Sequence, residues 1–124
     1  MKKLFIILLF APFFSLAQIE TPQPSPFSTL VQRVGLVDIK IEYSRPSTRG
    51  RQIFGNLVPY NEVWRTGANK NTTIEFSDKV MIGEVEVPKG KYAIYTIPGY
   101  DSWELILYKK NDNWGLPKNW DKNE

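Results

Sequence analysis

Val37-Asp38-Ile39-Lys40-Ile41-Glu42-Tyr43-Ser44 alternates apolar and polar side chains over eight residues. A period of two places Val37, Ile39, Ile41 and Tyr43 on one face and Asp38, Lys40, Glu42 and Ser44 on the other, as in a strand with one side on a core and one toward water. Just upstream, residues 28–34 read as a partner strand, with Gly35 and its neighbours supplying the turn.

Downstream the same grammar repeats in short units. Thr72, Ile74 and Phe76 open a strand, and Ser77-Asp78-Lys79 is turn chemistry before Val80-Met81-Ile82. Gly83-Glu84 separates that run from Val85-Glu86-Val87, and Pro88-Lys89-Gly90 precedes a dense strand over residues 91–97. Pro98-Gly99-Tyr100-Asp101 is a further turn, and Trp103 to Tyr108 puts Trp103, Leu105 and Leu107 opposite Glu104, Ile106 and Tyr108. No amphipathic helical stretch of ten or more residues occurs. The pattern predicts an all-β domain, an antiparallel β-sandwich of jelly-roll type or a small barrel, over residues 27–110.

One connection interrupts the strands. Residues 43–73, YSRPSTRGRQIFGNLVPYNEVWRTGANKNTT, are irregular, and connections of this length in compact domains are usually functional or disordered. Ile53, Phe54, Leu57, Val58, Tyr60, Val63 and Trp64 give it apolar material with which to pack, so an ordered connection is expected, with room for a short helical turn near residues 53–57 or 60–64. Its arginines can bind carboxylate or phosphate in bidentate fashion, or pair with Glu42 and Glu62. Trp64-Arg65-Thr66-Gly67-Ala68-Asn69 gathers an aromatic wall, a cation, a hydroxyl and an amide, which suits a polar pocket and equally suits a loop anchored on its core. Arg45, Arg51, Trp64, Arg65, Thr66 and Asn69 are the candidate binding residues.

The ends bound the compartment. Lys2 and Lys3, an apolar run over residues 4–14 and Ser15-Leu16-Ala17 form the three parts of a secretory signal over residues 1–17, too short to span a bilayer. Export to the periplasm or medium follows, with no membrane anchor. Residues 18–26 hold Pro22, Pro24 and Pro26 and read as an extended lead. Residues 111–124 are a polar tail without strand pattern, so either the tail folds back over an exposed sheet edge or the domain is incomplete at its C-terminus.

Removing 17 residues from 124 leaves 107, room for one domain. Without Lys2 and Lys3 the 16 basic residues become 14 against 13 acidic ones, a net charge of +1 that argues for no nucleic-acid partner. The chain has no histidine and no cysteine. That excludes Ser-His-Asp and Cys-His nucleophile systems, imidazole general bases and zinc sites built on either residue. No catalytic set, cofactor or metal is expected. Carboxylates such as Glu42, Glu62, Glu75, Asp78, Asp101 and Glu104 keep a hydrolase open in principle, since a glycosidase needs only two acids at the right separation.

Glu42-Tyr43-Ser44-Arg45-Pro46-Ser47, Gly50-Arg51-Gln52-Ile53-Phe54-Gly55, Leu57-Val58-Pro59-Tyr60, Val63-Trp64-Arg65-Thr66-Gly67-Ala68-Asn69, Pro88-Lys89-Gly90-Lys91-Tyr92, Thr96-Ile97-Pro98-Gly99 and Asn113-Trp114-Gly115 follow one another in order. In these segments the chain resembles the secreted bacterial family known as domain of unknown function 2911. The resemblance implies a signal-bearing, mainly β domain and no established activity. Family members commonly carry an acid after Gly-Ala-Asn, where Lys70 stands here, and continue with further strands past Trp-Gly, so the resemblance implies a member shortened at its C-terminus.

The expectation is therefore an exported module that binds a polar or anionic small molecule or a glycan through residues 45–69. Arg45, Arg51 and Arg65 would take the anionic or hydroxyl groups, Trp64 would form a wall, and Thr66 and Asn69 would orient. A carboxylate-dependent hydrolase of an envelope glycan or polymer, with Glu42 or Glu62 as acid or base, and a purely structural domain are the alternatives.

Overall fold

In a computed structural model the described residues are 20–121. The expected signal over residues 1–17 and the first two residues of the lead lie outside them. Among the described residues seven strands form: β1 (Phe27–Val34), β2 (Val37–Ser44), β3 (Thr73–Phe76), β4 (Val80–Ile82), β5 (Val85–Val87), β6 (Gly90–Pro98) and β7 (Trp103–Tyr108). Five build one antiparallel sheet in the order β1-β2-β3-β6-β7, while β4 and β5 make a separate hairpin. The all-β antiparallel class read from the alternation is what forms, and the large sheet stays open rather than closing into a barrel.

Register follows the hydrophobic pattern. Val34 faces Val37 across a two-residue turn whose first residue, Gly35, takes φ 61. Short hairpins need such a positive φ, and glycine reaches it without steric cost. Ile39 then sits opposite Phe76, Ile41 opposite Ile74, and Ile74 opposite Tyr92. Because directly paired residues share a face, one face of the sheet gathers Val37, Ile39, Ile74, Phe76, Tyr92 and Leu107, and the β4–β5 hairpin covers it with Val80 and Val87.

The opposite face holds a second cluster of Ala93, Tyr95 and Tyr108, with Val63, Ile106 and Trp120 packed against it. Tyr95 is 0% and Tyr108 1% exposed. Trp120 lies edge-on to Tyr95 at 4.7 Å and beside Tyr108 at 5.1 Å, so the tail folds back over this face of the sheet. Strand β6 contributes to both clusters, through Tyr92 on one side and Ala93 and Tyr95 on the other.

β3 is shorter than β6 and borders only its first half, from Gly90 to Ala93. The connection of residues 45–72 takes over from there. Ile94 N–H donates to Thr72 O at 2.8 Å, Trp64 and Thr96 exchange bonds of 2.7 and 3.0 Å, and Asn61 N–H donates to Pro98 O at 2.8 Å. The connection is thus ordered, as its apolar content predicts, but the helical turn does not form. Residues 53–58 close instead as a tight loop, with Val58 N–H on Ile53 O at 2.8 Å and Gly55 N–H on Val58 O at 2.9 Å.

Candidate functional site

The connection is where backbone strain concentrates. Among the described residues, Arg49, Asn61, Thr66 and Asn69 are the non-glycine residues with positive φ, at 51, 62, 54 and 59. Thr66 stands out, since a β-branched side chain rarely tolerates that region, and such strain persists only where the surroundings over-determine it. Its hydroxyl reaches Trp64 O at 3.2 Å and the Thr96 hydroxyl at 3.0 Å, while Thr72 Oγ1 donates to Thr66 O at 2.7 Å. Side-chain bonds from two neighbouring segments therefore hold the strained residue.

Around this loop opens a groove of about 770 Å³. Ile53, Phe54, Leu57, Val58 and Trp64 give it an apolar lining, and Arg45, Arg51, Arg65 and Thr66 add polar groups. No aspartate or glutamate among the described residues lines it. Phe54, Trp64 and Trp103 form a triangle of edge-on rings, with centroid separations of 5.8, 4.9 and 6.2 Å, which fixes the aromatic wall.

The three guanidinium groups are differently engaged. Arg45 is exposed, and its side chain has no hydrogen bond or ion pair among the described residues. Arg51 donates from Nε to Thr48 O at 2.9 Å and from Nη2 to Ser47 O at 3.0 Å, which ties the loop while leaving part of its fork. Arg65 turns Nη1 to Asn69 O at 3.4 Å and lies beside Gly115 of the tail. Five of the six candidates thus line one groove, although the Arg65 guanidinium reaches away toward the tail.

Asn69 goes elsewhere. Its Nδ2 donates to Gln23 Oε1 at 3.1 Å and Ser25 O at 3.4 Å, so it straps the lead to the end of β2 and lines a second groove on the other face. That groove, about 840 Å³, also takes in Glu42, Asn71, Lys91, Asn111 and Trp114. Lys40 and Lys91 reach the Glu42 carboxylate at 2.8 and 2.7 Å, and their bonds hold its pKa down from 4.5 to about 2. At neutral pH Glu42 therefore has no proton for a general acid to deliver. Glu62 is exposed and lines neither groove.

Beneath the second groove lies a polar cluster that strand patterning does not suggest. Asn71, Thr72 and Thr73 are consecutive and buried. Asn71 donates from Nδ2 to Tyr95 Oη, Tyr95 donates to Gly115 O at 3.2 Å, and Asn71 N–H donates to Asn113 O at 3.3 Å. Burial raises the Tyr95 phenol above its ordinary pKa, and the bonds from Asn71 and Asn113 pull against that rise. The buried Oδ1 of Asn71 has no partner among the described residues. The run Asn71-Thr72-Thr73 was the available signal, because three polar residues at a strand entry need partners wherever they are buried.

A protein-family model described as Protein of unknown function (DUF2911) matches residues 25–124. No curated protein and no solved structure matches the chain.

Proposed function

The chain belongs to the DUF2911 family, and we propose that it is a binding module for a small anion carried on an apolar body, such as a carboxylate or phosphate ester, seated in the groove of the 45–68 loop. One observation carries the reading: Arg45 and Arg51, with the stem of Arg65 and no acid among the described residues, line a cavity of about 770 Å³ whose other walls are apolar side chains and the neutral hydroxyls of Ser44, Ser47, Thr48 and Thr66. Within a shielded cleft an unbalanced positive lining attracts an anion, and arginine forks match carboxylate and phosphate oxygens. Arg45 makes the first contact, because its guanidinium has no competing partner among the described residues. Arg51 adds the donors that Ser47 and Thr48 leave over. Trp64, Phe54 and Leu57 accept the apolar body, and the strained Thr66 holds the wall in place. The chain after its leader works outside the cytoplasm in this reading.

Thermal shift and calorimetry on the full mature chain test it with octanoate, octyl phosphate, inorganic phosphate and neutral octyl glucoside. The amphipathic anions should stabilise by about 1.4 kcal/mol at ten times Kd, an upward Tm shift of roughly 5 °C or more for a domain this size. The effect should weaken with salt and vanish in Arg45→Ala, an exposed position where the fold stays intact. An equal response to octyl glucoside, an undiminished response in Arg45→Ala, or no response at all would sink the proposal.

A further inference from the structure

The second groove has the opposite hydrogen-bonding polarity to the first. Its amides spend their N–H groups inward. Asn111 Nδ2 donates to Lys91 O at 2.8 Å and Lys109 O at 3.0 Å, Asn69 Nδ2 donates to Ser25 O, and Asn71 Nδ2 to Tyr95 Oη. A backbone carbonyl can only accept, so these contacts fix which end of the Asn69 and Asn111 amides faces in. The Oδ1 atoms of Asn69, Asn71 and Asn111 remain as acceptors without a partner among the described residues, and that of Asn71 is sealed in a residue only 5% exposed.

The lining is also electrically balanced: Glu42 and Asp112 stand against Lys70 and Lys91. Glu42 is already satisfied by two ammonium groups. Asp112 and Lys70 carry opposite charges at the same rim, so the lining has no net charge with which to select a cation or an anion. A neutral molecule rich in O–H donors fits. Beside the acceptors stand two uncovered aromatic side chains, Trp114 at 67% exposure and Phe27 at 63%. An indole face next to unpaired acceptors is complementary to a pyranose ring, which has an apolar C–H face and a rim of hydroxyl donors.

We infer that this groove, between the 22–26 lead, the ends of β2 and β3 and the 111–114 tail, is a carbohydrate site for a neutral sugar ring. The ring stacks on Trp114, and its hydroxyls donate to the amide oxygens of Asn69 and Asn111. The inference is independent of the anion reading, which lives on the other face and on other side chains.

The test is a titration of the full mature chain with cellotetraose, maltotetraose and chitotetraose at millimolar concentrations, followed by tryptophan fluorescence and by the indole N–H resonance of Trp114. At least one sugar should move that resonance in a saturable way. Trp114→Ala should weaken binding roughly three- to tenfold, the range of an aromatic stacking contribution. Trp114→Phe should keep most of the affinity and Trp114→Leu should not, which separates stacking from bulk. Arg45→Ala should leave sugar binding unchanged, so failure here and failure of the anion site are told apart. If no tetrasaccharide perturbs Trp114, or if Leu serves as well as Phe, the inference is wrong.

Discussion

Trp64 and Thr96 exchange a pair of backbone hydrogen bonds, Trp64 N–H to Thr96 O at 2.7 Å and Thr96 N–H to Trp64 O at 3.0 Å. That reciprocal pair makes the long connection a continuation of the sheet where β3 runs out. It also aims the Trp64 ring at Phe54 and Trp103. Trp64→Ala should therefore cost about 2–4 kcal/mol, the range of a large aromatic truncated at a half-buried position, read as a lower urea midpoint. The same variant should lose the response to octanoate. A stable Trp64→Ala protein with unchanged ligand response would show that the aromatic triangle supports neither fold nor groove.

Tyr95 binds the tail through one hydroxyl, which accepts from Asn71 and donates to Gly115 O. Tyr95→Phe removes that oxygen and leaves the Asn71 amide short of a partner in a buried site. The expected loss is about 1–2 kcal/mol, with faster amide exchange over residues 113–120. Exchange that quickens evenly over the whole domain would argue against a local role.

Acid should act through Glu42. Its folded pKa of about 2 lies below the ordinary 4.5, so the stabilisation it contributes is complete above about pH 5 and is lost as the pH falls toward 2. The pair is partly solvated, which limits the effect to about 1–2 kcal/mol. Glu42→Gln should flatten the fall in Tm between pH 5 and 2 relative to the unaltered chain. Parallel acid profiles for the two proteins would assign the acid sensitivity elsewhere.

Gly67 leaves no room for a side chain. A Cβ there would come within 2.7 Å of Thr72 Oγ1 and 3.4 Å of Ser44 O, on a backbone at φ 154. Gly67→Ala should destabilise by about 1–3 kcal/mol, and Gly67→Ala combined with Thr72→Ala should recover part of it in a double-mutant comparison. Strict additivity of the two changes would mean that the clash is not with Thr72.

The strands were legible because they alternate. β2 and β7 occupy the residues their patterns mark, and β1, β3 and β6 differ by a residue or so at their ends. The connection was legible as ordered and as the source of most of the lining of one groove. Its attachments were not, because the Trp64–Thr96 bonds are made by main-chain atoms 32 positions apart, and no side-chain type announces them. The division of the candidates between two faces could have been read: Val63, Trp64 and Arg65 in extended backbone must alternate, which separates the Trp64 ring from the Arg65 guanidinium. The Asn71–Tyr95–Gly115 cluster had no such signal beyond its buried polar run.

Strand β6 lends Tyr92 to one hydrophobic cluster and Ala93 and Tyr95 to the other. The two layers thus share a single spine, and neither can loosen while β6 stays in register for its counterpart alone. Melting should then proceed as one event, with the slowest-exchanging amides on both sides of the sheet opening at a common free energy.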